Sequence, residues 1–387
     1  MIALGPADIR HANALACIGV LSASDDALTI ADIAAATGLS RPTVDAVLST
    51  MEQDGLVAAR GTQTLGTGGR PARRFALDAT SALVAGIDAG PRNVRVLLAD
   101  LRGRVIGRAE RAVPERPSAQ ERLDFIADVV AEALASSGFG PDRLRAACVG
   151  VSGILSADGK LLDSIAVPEW NGCDIAGSIG ARFGCAALLE NDIKLAALAE
   201  HHAGAARDVD DILFIQIGNR ISLGQTAQRQ IFQGAHRSAG EVGSLRGMRW
   251  ASNSVKGQLT WQTAATAEEV FALAIAGDDI ALAEVRAFTR EIAPLLATVS
   301  LVVDPARIVV GGGLTRAGDL FIDMLRDEIH HLIVLQHKPE VVASPLASSA
   351  TAVGALALGF QSWSSELFGV AGVPVPELAL TPGEDAA

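Results

Sequence analysis

The sequence predicts a two-lobed α/β fold preceded by a small winged helix-turn-helix, and three observations predict it. Two short capped helices joined by a glycine turn stand near the N-terminus, followed by strand-like segments rich in arginine and glycine. From residue 81 onward, apolar strands alternate with helices. The plan of a strand hairpin followed by helices then occurs twice, as two similar lobes around a cleft would require.

Residues 1–78 read as one module. His11 to Leu21 is a first helix with Leu15, Ile18 and Leu21 on one face. Thr29 is placed to cap a short helix from Ile30 to Thr37, with Asp32 at the third position completing a capping-box-like start. Gly38-Leu39 makes the turn, and Ser40 caps the next helix, which runs to about Gln53 and stops at Gly55. Val44, Val47, Leu48 and Met51 recur at helical spacing, so one face is core. The N-terminal turn presents Ser40, Arg41, Pro42 and Thr43, the arrangement of a recognition helix that meets bases and phosphates of double-stranded DNA.

Leu56 to Arg60 and Arg73 to Leu77 read as the strands of a wing. Between them Gly68-Gly69-Arg70-Pro71 offers a flexible arginine that can enter a narrow, A/T-rich minor groove. Arg60, Arg73 and Arg74 are expected on phosphates. The module carries six arginines against eight acids, so its positive charge is local to the wing and the recognition-helix start. A net charge of −12 for the chain excludes a protein coated with nucleic acid, though not one small reading module.

Residues 81–370 hold the two lobes. Leu83 to Asp88 and Val94 to Asp100 form one hairpin around Gly90-Pro91-Arg92-Asn93, and Ile212 to Ile217 with Ile221 to Gln225 form another. Leu123 to Ser136 and Lys194 to Ala203 are helices; Ala146 to Val151, Ala186 to Leu189 and Ile308 to Val310 are buried strands. Residues 371–387, with three prolines and an acidic end, are expected to be a mobile tail. The four cysteines show no CxxC or metal spacing and read as reduced, mostly buried thiols. Asp8, Arg10 and His11 near the start speak against a signal peptide, and the expected compartment is the cytoplasm. Val341 to Ser365 lacks charge, but its Pro345 and many Ala, Gly and Ser fit a helix buried between lobes better than a membrane span.

Several segments in order resemble the ROK (repressor, open reading frame, kinase) family, from about residue 10 to 362. The turn Gly38 to Val44 and the wing Gly69-Arg70-Pro71 are similar to those of family repressors. Val149 to Gly153, Trp170-Asn171, Glu190-Asn191-Asp192, and Gly234-Ala235-His236 through Gly240-Glu241-Val242-Gly243 resemble the family's sugar-side motifs. The resemblance implies an actin-like, hexokinase-type fold for the lobes. It also implies an effector site built from Gly153, Asn171, Asn191, Asp192, Glu241 and Ser244. Carboxylates and amides of this kind suit a ring of paired hydroxyls, since each can take or give two hydrogen bonds.

The kinase side of the resemblance is degraded. Where the family's kinases have Asp-x-Gly-Gly-Thr, this chain reads Asp88-Ala89-Gly90-Pro91-Arg92, and proline removes an amide donor from the phosphate loop. The second loop reads Gly218-Asn219-Arg220-Ile221, with bulk where phosphate would sit. Gly311-Gly312-Gly313 resembles an adenosine-side loop, though a strand-to-helix turn explains these glycines equally well. Ser244 stands where family members have a zinc-binding His, and no cysteine follows in Gly247 to Gln258, so no metal and no cofactor are expected. The reading is a homodimeric, or dimer-of-dimers, repressor without catalytic residues that senses a sugar or sugar-like effector. Two rivals stay open: an active ATP-dependent sugar kinase with a DNA module, and a ligand-independent DNA-binding dimer.

Overall fold

Side-chain caps fix the first helices, as the sequence indicates. The computed structural model describes residues 5–63, 72–217, 221–242, 254–255, 258–312 and 318–380. Helix α1 (Pro6–Ser22) begins five residues earlier than expected, because Pro6 at its first position and Asp8, which accepts from the Gly5 amide, supply a start signal. A short strand β1 (Leu28–Thr29) leads into α2 (Ile30–Thr37), where Thr29 and Asp32 form the capping box at 3.2 and 2.9 Å. Gly38, left-handed at φ 73°, ends α2, and Ser40 caps α3 (Arg41–Gln53). The wing strands are β2 (Val57–Gln63) and β3 (Ala72–Leu77), in a sheet ordered β1-β3-β2. Ile18, Leu21, Ile33, Val44, Leu48 and Phe75 close the core of this module.

The first lobe is built on β4 (Leu83–Ala89), β5 (Asn93–Asp100), β6 (Val105–Ala112), β7 (Leu144–Val151) and the later β10, with α4 (Ala119–Ser137) before β7. The small hairpin β8 (Ile154–Leu155) and β9 (Leu161–Asp163) and helix α5 (Ile175–Phe183) precede β10 (Ala186–Asn191) and α6 (Asp192–His202). The sheet order is β10-β7-β4-β5-β6, with β10, β7 and β4 parallel and the rest antiparallel. Burial on both faces explains why β4 and β7 are almost continuous apolar runs.

The second lobe repeats the plan with β11 (Ile212–Ile217), β12 (Ile221–Ala227) and β13 (Gln230–Ile231). A short hairpin, β14 (Ser254–Val255) and β15 (Gln258–Leu259), precedes α7 (Ala267–Ile275), α8 (Asp279–Val303), β16 (Arg307–Gly311), α9 (Asp319–Leu332) and β17 (Glu340–Ala343). Its sheet runs β13-β12-β11-β16-β17. Trp261, Phe271, Phe288 and Phe321 form an aromatic cluster, with Phe271 and Phe321 edge-on at 5.2 Å.

The uncharged C-terminal stretch becomes β17 followed by α10 (Ala350–Ser362) and α11 (Ser364–Phe368). Among the described residues no helix is long and apolar enough to cross a membrane. Instead α10 packs on α6 and on β4, and small residues permit the approach: a Cβ on Gly354 or Gly86 would collide with the backbone carbonyl of Leu195 or Ala352. Residues 371–380, expected within a mobile tail, are tied down. Leu378 is buried, Ala379 N donates to Gly103 O at 3.1 Å, and Val373, Val375 and Leu380 lie on the apolar core. Alternating valines and prolines make a stiff apolar ribbon that gains by burial and loses little chain entropy. The expected segment 381–387 lies outside the described residues.

No long linker separates the wing from the first lobe. Asp78 N donates to Leu56 O, and a single turn, Ala79–Ser81, leads directly into β4. From the β5–β6 turn, Arg102 donates to the C-terminal carbonyls of α1, Leu21 O at 3.2 Å and Ser22 O at 3.1 Å. Those carbonyls have no partner within the helix, and a guanidinium there is doubly favoured.

Candidate functional site

The start of α3 keeps its polar groups at the surface. Ser40 Oγ accepts from Thr43 N at 3.3 Å and lies 2.8 Å from Thr43 Oγ1, so these two hydroxyls hold the first turn. Arg41 and Pro42 are exposed beside them. Arg70 and the rest of the wing tip lie outside the described residues. The arginines expected on phosphates divide. Arg73 pairs with Glu52 at 2.6 Å and stands over the Phe75 ring, and Arg74 Nε donates to Ala27 O at 2.7 Å. Arg60 is exposed and has no acid partner among the described residues.

The second group forms where the parallel strands of the first lobe end. Asp88 on β4 and Glu190 on β10 stand level with Gly150 on the intervening β7, near the carboxyl ends of all three strands. The crevice outside the carboxyl ends of parallel strands is where α/β sheets bind ligands. Asn191 is the N-cap of α6: its Oδ1 accepts from Ile193 N and Lys194 N, both at 3.0 Å, and its Nδ2 donates to Gly153 O at 3.0 Å. The cap belongs to Asn191, and the Asp192 carboxylate accepts from Ile193 N, at 2.9 Å, through Oδ1. Asn171 is exposed and holds its own loop through Ser164 N at 2.9 Å, while Ser164 Oγ reaches Ser152 O at 2.6 Å. Asn171, Ser164, Gly153 and Asn191 therefore belong to one hydrogen-bonded layer. Glu241 is half-buried on the loop after β13, and Ser244 lies outside the described residues.

Burial, then the negative charges of Asp88 and Glu241, push Asp192 up to about 7. Burial raises Asp88 to about 6 against the pull of Arg95, whose guanidinium is 3.3 Å away. Burial also raises Glu241, opposed by Lys194. At neutral pH Asp192 is thus divided between acid and carboxylate, able to give or take a hydrogen bond from a hydroxyl. Arg95 is shared with Glu110 at 2.8 Å. An Asp88 held this way is already paired with a cation and poorly placed to position a magnesium ion.

Sequence reasoning missed the charged layer behind these groups. Glu190, 3% exposed, accepts from Asn191 N at 2.8 Å, Gln233 Nε2 at 2.5 Å and Arg237 Nη2 at 2.6 Å. Lys194, 2% exposed, donates to Arg237 O at 2.6 Å and Gln233 Oε1 at 3.2 Å. Its pKa is lowered by burial, with Glu190 opposing. The signal was available: Lys194 is one of four lysines in the chain and interrupts the apolar run of α6.

At the first phosphate-loop position the β4–β5 turn is short of one amide donor, and its carbonyls are held by neighbouring donors. Pro91 has no amide hydrogen, Gly90 O accepts from Arg122 Nη1 at 3.4 Å and Arg92 O from Val113 N at 2.7 Å. Gly218, Asn219, Arg220 and Gly313 lie outside the described residues. Gly312, at φ 96°, has no room for a Cβ beside Ile217 O, so packing between strand ends accounts for that glycine.

The profile of the ROK family matches residues 84–252 and 246–362. The chain belongs to the ROK family. An IclR-type helix-turn-helix profile matches residues 12–61. The xylose repressor of Bacillus subtilis is 24% identical over 209 residues, 54% of each chain. A bifunctional enzyme NanE/NanK of Brucella melitensis is 28% identical over 291 residues, 71% of this chain and 53% of the enzyme. The matches thus span about half the length of these relatives. Among solved structures, a ROK family transcriptional regulator described as a homologue of the Escherichia coli Mlc protein superposes over 93% of this chain and 98% of its own, with TM-score 0.70 and 19% identity. That likeness extends the shared fold across both the N-terminal module and the lobes of this ROK protein.

Proposed function

We propose that this ROK protein is a transcriptional repressor whose cleft senses a sugar or sugar-like effector. One observation carries the reading: an exposed recognition-helix start shares the chain with a cluster of acids and amides at the strand ends, beside a first loop that holds Pro91 and an Asp88–Arg95 pair. Ser40, Arg41, Pro42 and Thr43 enter the major groove, and Arg70 reads the minor groove. Two copies in a dimer, or a dimer of dimers, present two such helices to a two-fold operator. Asp192, Glu241 and Asn191 hold the effector's hydroxyls, with Gly153, Asn171 and Ser244 completing the pocket. The effector acts by binding one lobe arrangement more tightly than the other.

The same reading makes the chain non-enzymatic and cytoplasmic. Pro91 and the Asp88–Arg95 pair support the first point, since phosphoryl transfer needs amides and a metal-holding acid there. The similarity to relatives named as repressors supports the DNA-binding role.

The test uses double-stranded sites selected from a random pool by the full chain. Arg41→Ala and Arg70→Ala should each weaken binding about 10- to 100-fold, the effect of roughly 1–3 kcal/mol per contact. Unchanged affinity in both variants defeats the DNA-binding role. Phosphorylation of any hexose by ATP would replace the regulatory reading with a kinase.

A further inference from the structure

Beside the β4–β5 turn lies a cavity of about 490 Å³ that the effector reading leaves unused. Three arginines line it: Arg92 from the turn, Arg116 from the loop before α4, and Arg122 from α4 itself. They differ in how they are held. Arg122 is 5% exposed, with Nε 2.8 Å from Glu169 Oε1 and its guanidinium 5.3 Å from the centroid of Trp170. Glu169 therefore neutralises Arg122 and fixes it as the floor. Arg92 and Arg116 have no ion-pair or side-chain hydrogen-bond partner among the described residues. Pro91, Pro114 and Pro117 stiffen the walls, and Arg116 sits in the left-handed region at φ 50°, which a non-glycine residue seldom adopts. Glu115 is the one remaining acid of the lining.

In a chain with 44 acids against 32 basic residues, two unmatched guanidinium groups turned to one cavity are out of keeping. Guanidinium forks match planar carboxylates and phosphoryl oxygens in pairs of hydrogen bonds. We propose that this cavity is an oxyanion site for a small acidic molecule, bearing a phosphoryl or a carboxylate group. Arg92 and Arg116 grip the anion, and the Arg122–Glu169 pair on Trp170 gives it a rigid back wall. The cavity reaches Ala166 and Glu169, which lead directly into Trp170-Asn171, and Arg92 lies four residues past Asp88. Its lining thus adjoins in sequence two members of the strand-end group, Asp88 and Asn171.

The experiment is calorimetric titration of the full chain without DNA. The probes are inorganic phosphate, hexose 6-phosphates, hexonates and the matching neutral hexoses. The wild type is compared with Arg92→Ala/Arg116→Ala, which removes two surface side chains and spares the buried Arg122–Glu169 pair. A phosphorylated or carboxylated probe should bind the wild type about tenfold or more tightly than the double variant, and the difference should shrink as salt is raised. Preference between the phosphate and hexonate series identifies the acidic group. Equal binding of every anion by the two proteins, or no anion bound by the wild type, overturns the proposal. Because no DNA is present, failure of the regulatory reading would leave this result untouched, and the converse holds.

Discussion

The start of α3 and the strand-end group hold their polar side chains in opposite ways. At α3 each polar group is fixed by a residue three positions away, as Ser40 is by Thr43, and the outer side chains meet solvent. At the strand ends the partners are remote: Glu190 is bound by Gln233 and Arg237, 43 and 47 positions on, and both Glu190 and Lys194 are sealed from water. The first arrangement leaves groups free to meet a partner surface of unknown detail. The second fixes its acids and bases in advance, so that a ligand finds them oriented.

The largest way to break this contrast is Glu190→Ala. Removing that carboxylate leaves Arg237 and Lys194 charged in a buried layer, and about 3 kcal/mol or more of stability should be lost. Scanning calorimetry of the full chain checks it, and a melting temperature equal to the wild type's would mean the layer is hydrated rather than sealed. Next is Asp192→Asn. Folding raises the Asp192 pKa from 3.8 to about 7, so the folded chain binds a proton that the unfolded chain releases. The stability linked to that proton is complete below about pH 4 and is lost as pH rises through about 7. The Asn variant, which cannot ionise, should gain on the order of 1–2 kcal/mol over the wild type at pH 8 and almost nothing at pH 4, the half-buried site being partly screened. A gain that does not depend on pH would place its origin in packing.

Smaller effects belong to the module. Ser40→Ala should cost about 1 kcal/mol, read as faster hydrogen exchange of the first amides of α3 with little change in the lobes. Smallest is Glu52→Ala, which breaks an exposed pair whose side chains are 54% and 36% accessible. Its expected cost is below about 0.5 kcal/mol, and a larger loss would show that Arg73 also anchors the wing.

The same contrast explains what could be read from the sequence. Thr29, Asp32, Gly38 and Ser40 act on neighbours within four positions, so α2 and α3 were legible in the sequence, whereas the start of α1 at Pro6 was not. The strand pairs around residues 90 and 218 were legible because their apolar runs are continuous. The roles of Asn191 and Asp192 were not separable: either could cap α6, and only the folded chain shows Asn191 doing so. Gln233 and Arg237 carry no local signal at all, because their partners arrive from another part of the chain. The bond from Arg74 Nε to the Ala27 carbonyl, 47 positions away, was likewise without a local signal. The packed segment 371–380 was read as tail because prolines mark both mobile linkers and stiff ribbons, and composition does not tell them apart.

The Arg102 joint has a mechanical consequence. Strand β5 carries Arg95, bonded to Asp88 at the cleft, toward one end, and the turn holding α1 follows the other. Its eight residues span roughly 25 Å as a pleated rod inside a sheet, which resists both bending and stretching. A displacement of that strand would carry the Arg102 turn and the helix it holds, since only the single turn Ala79–Ser81 lies between β3 and β4. In an assembly of two copies, the distance between their modules is then a property of the lobes, and a changed spacing between binding half-sites would be answered by mutations far from any base.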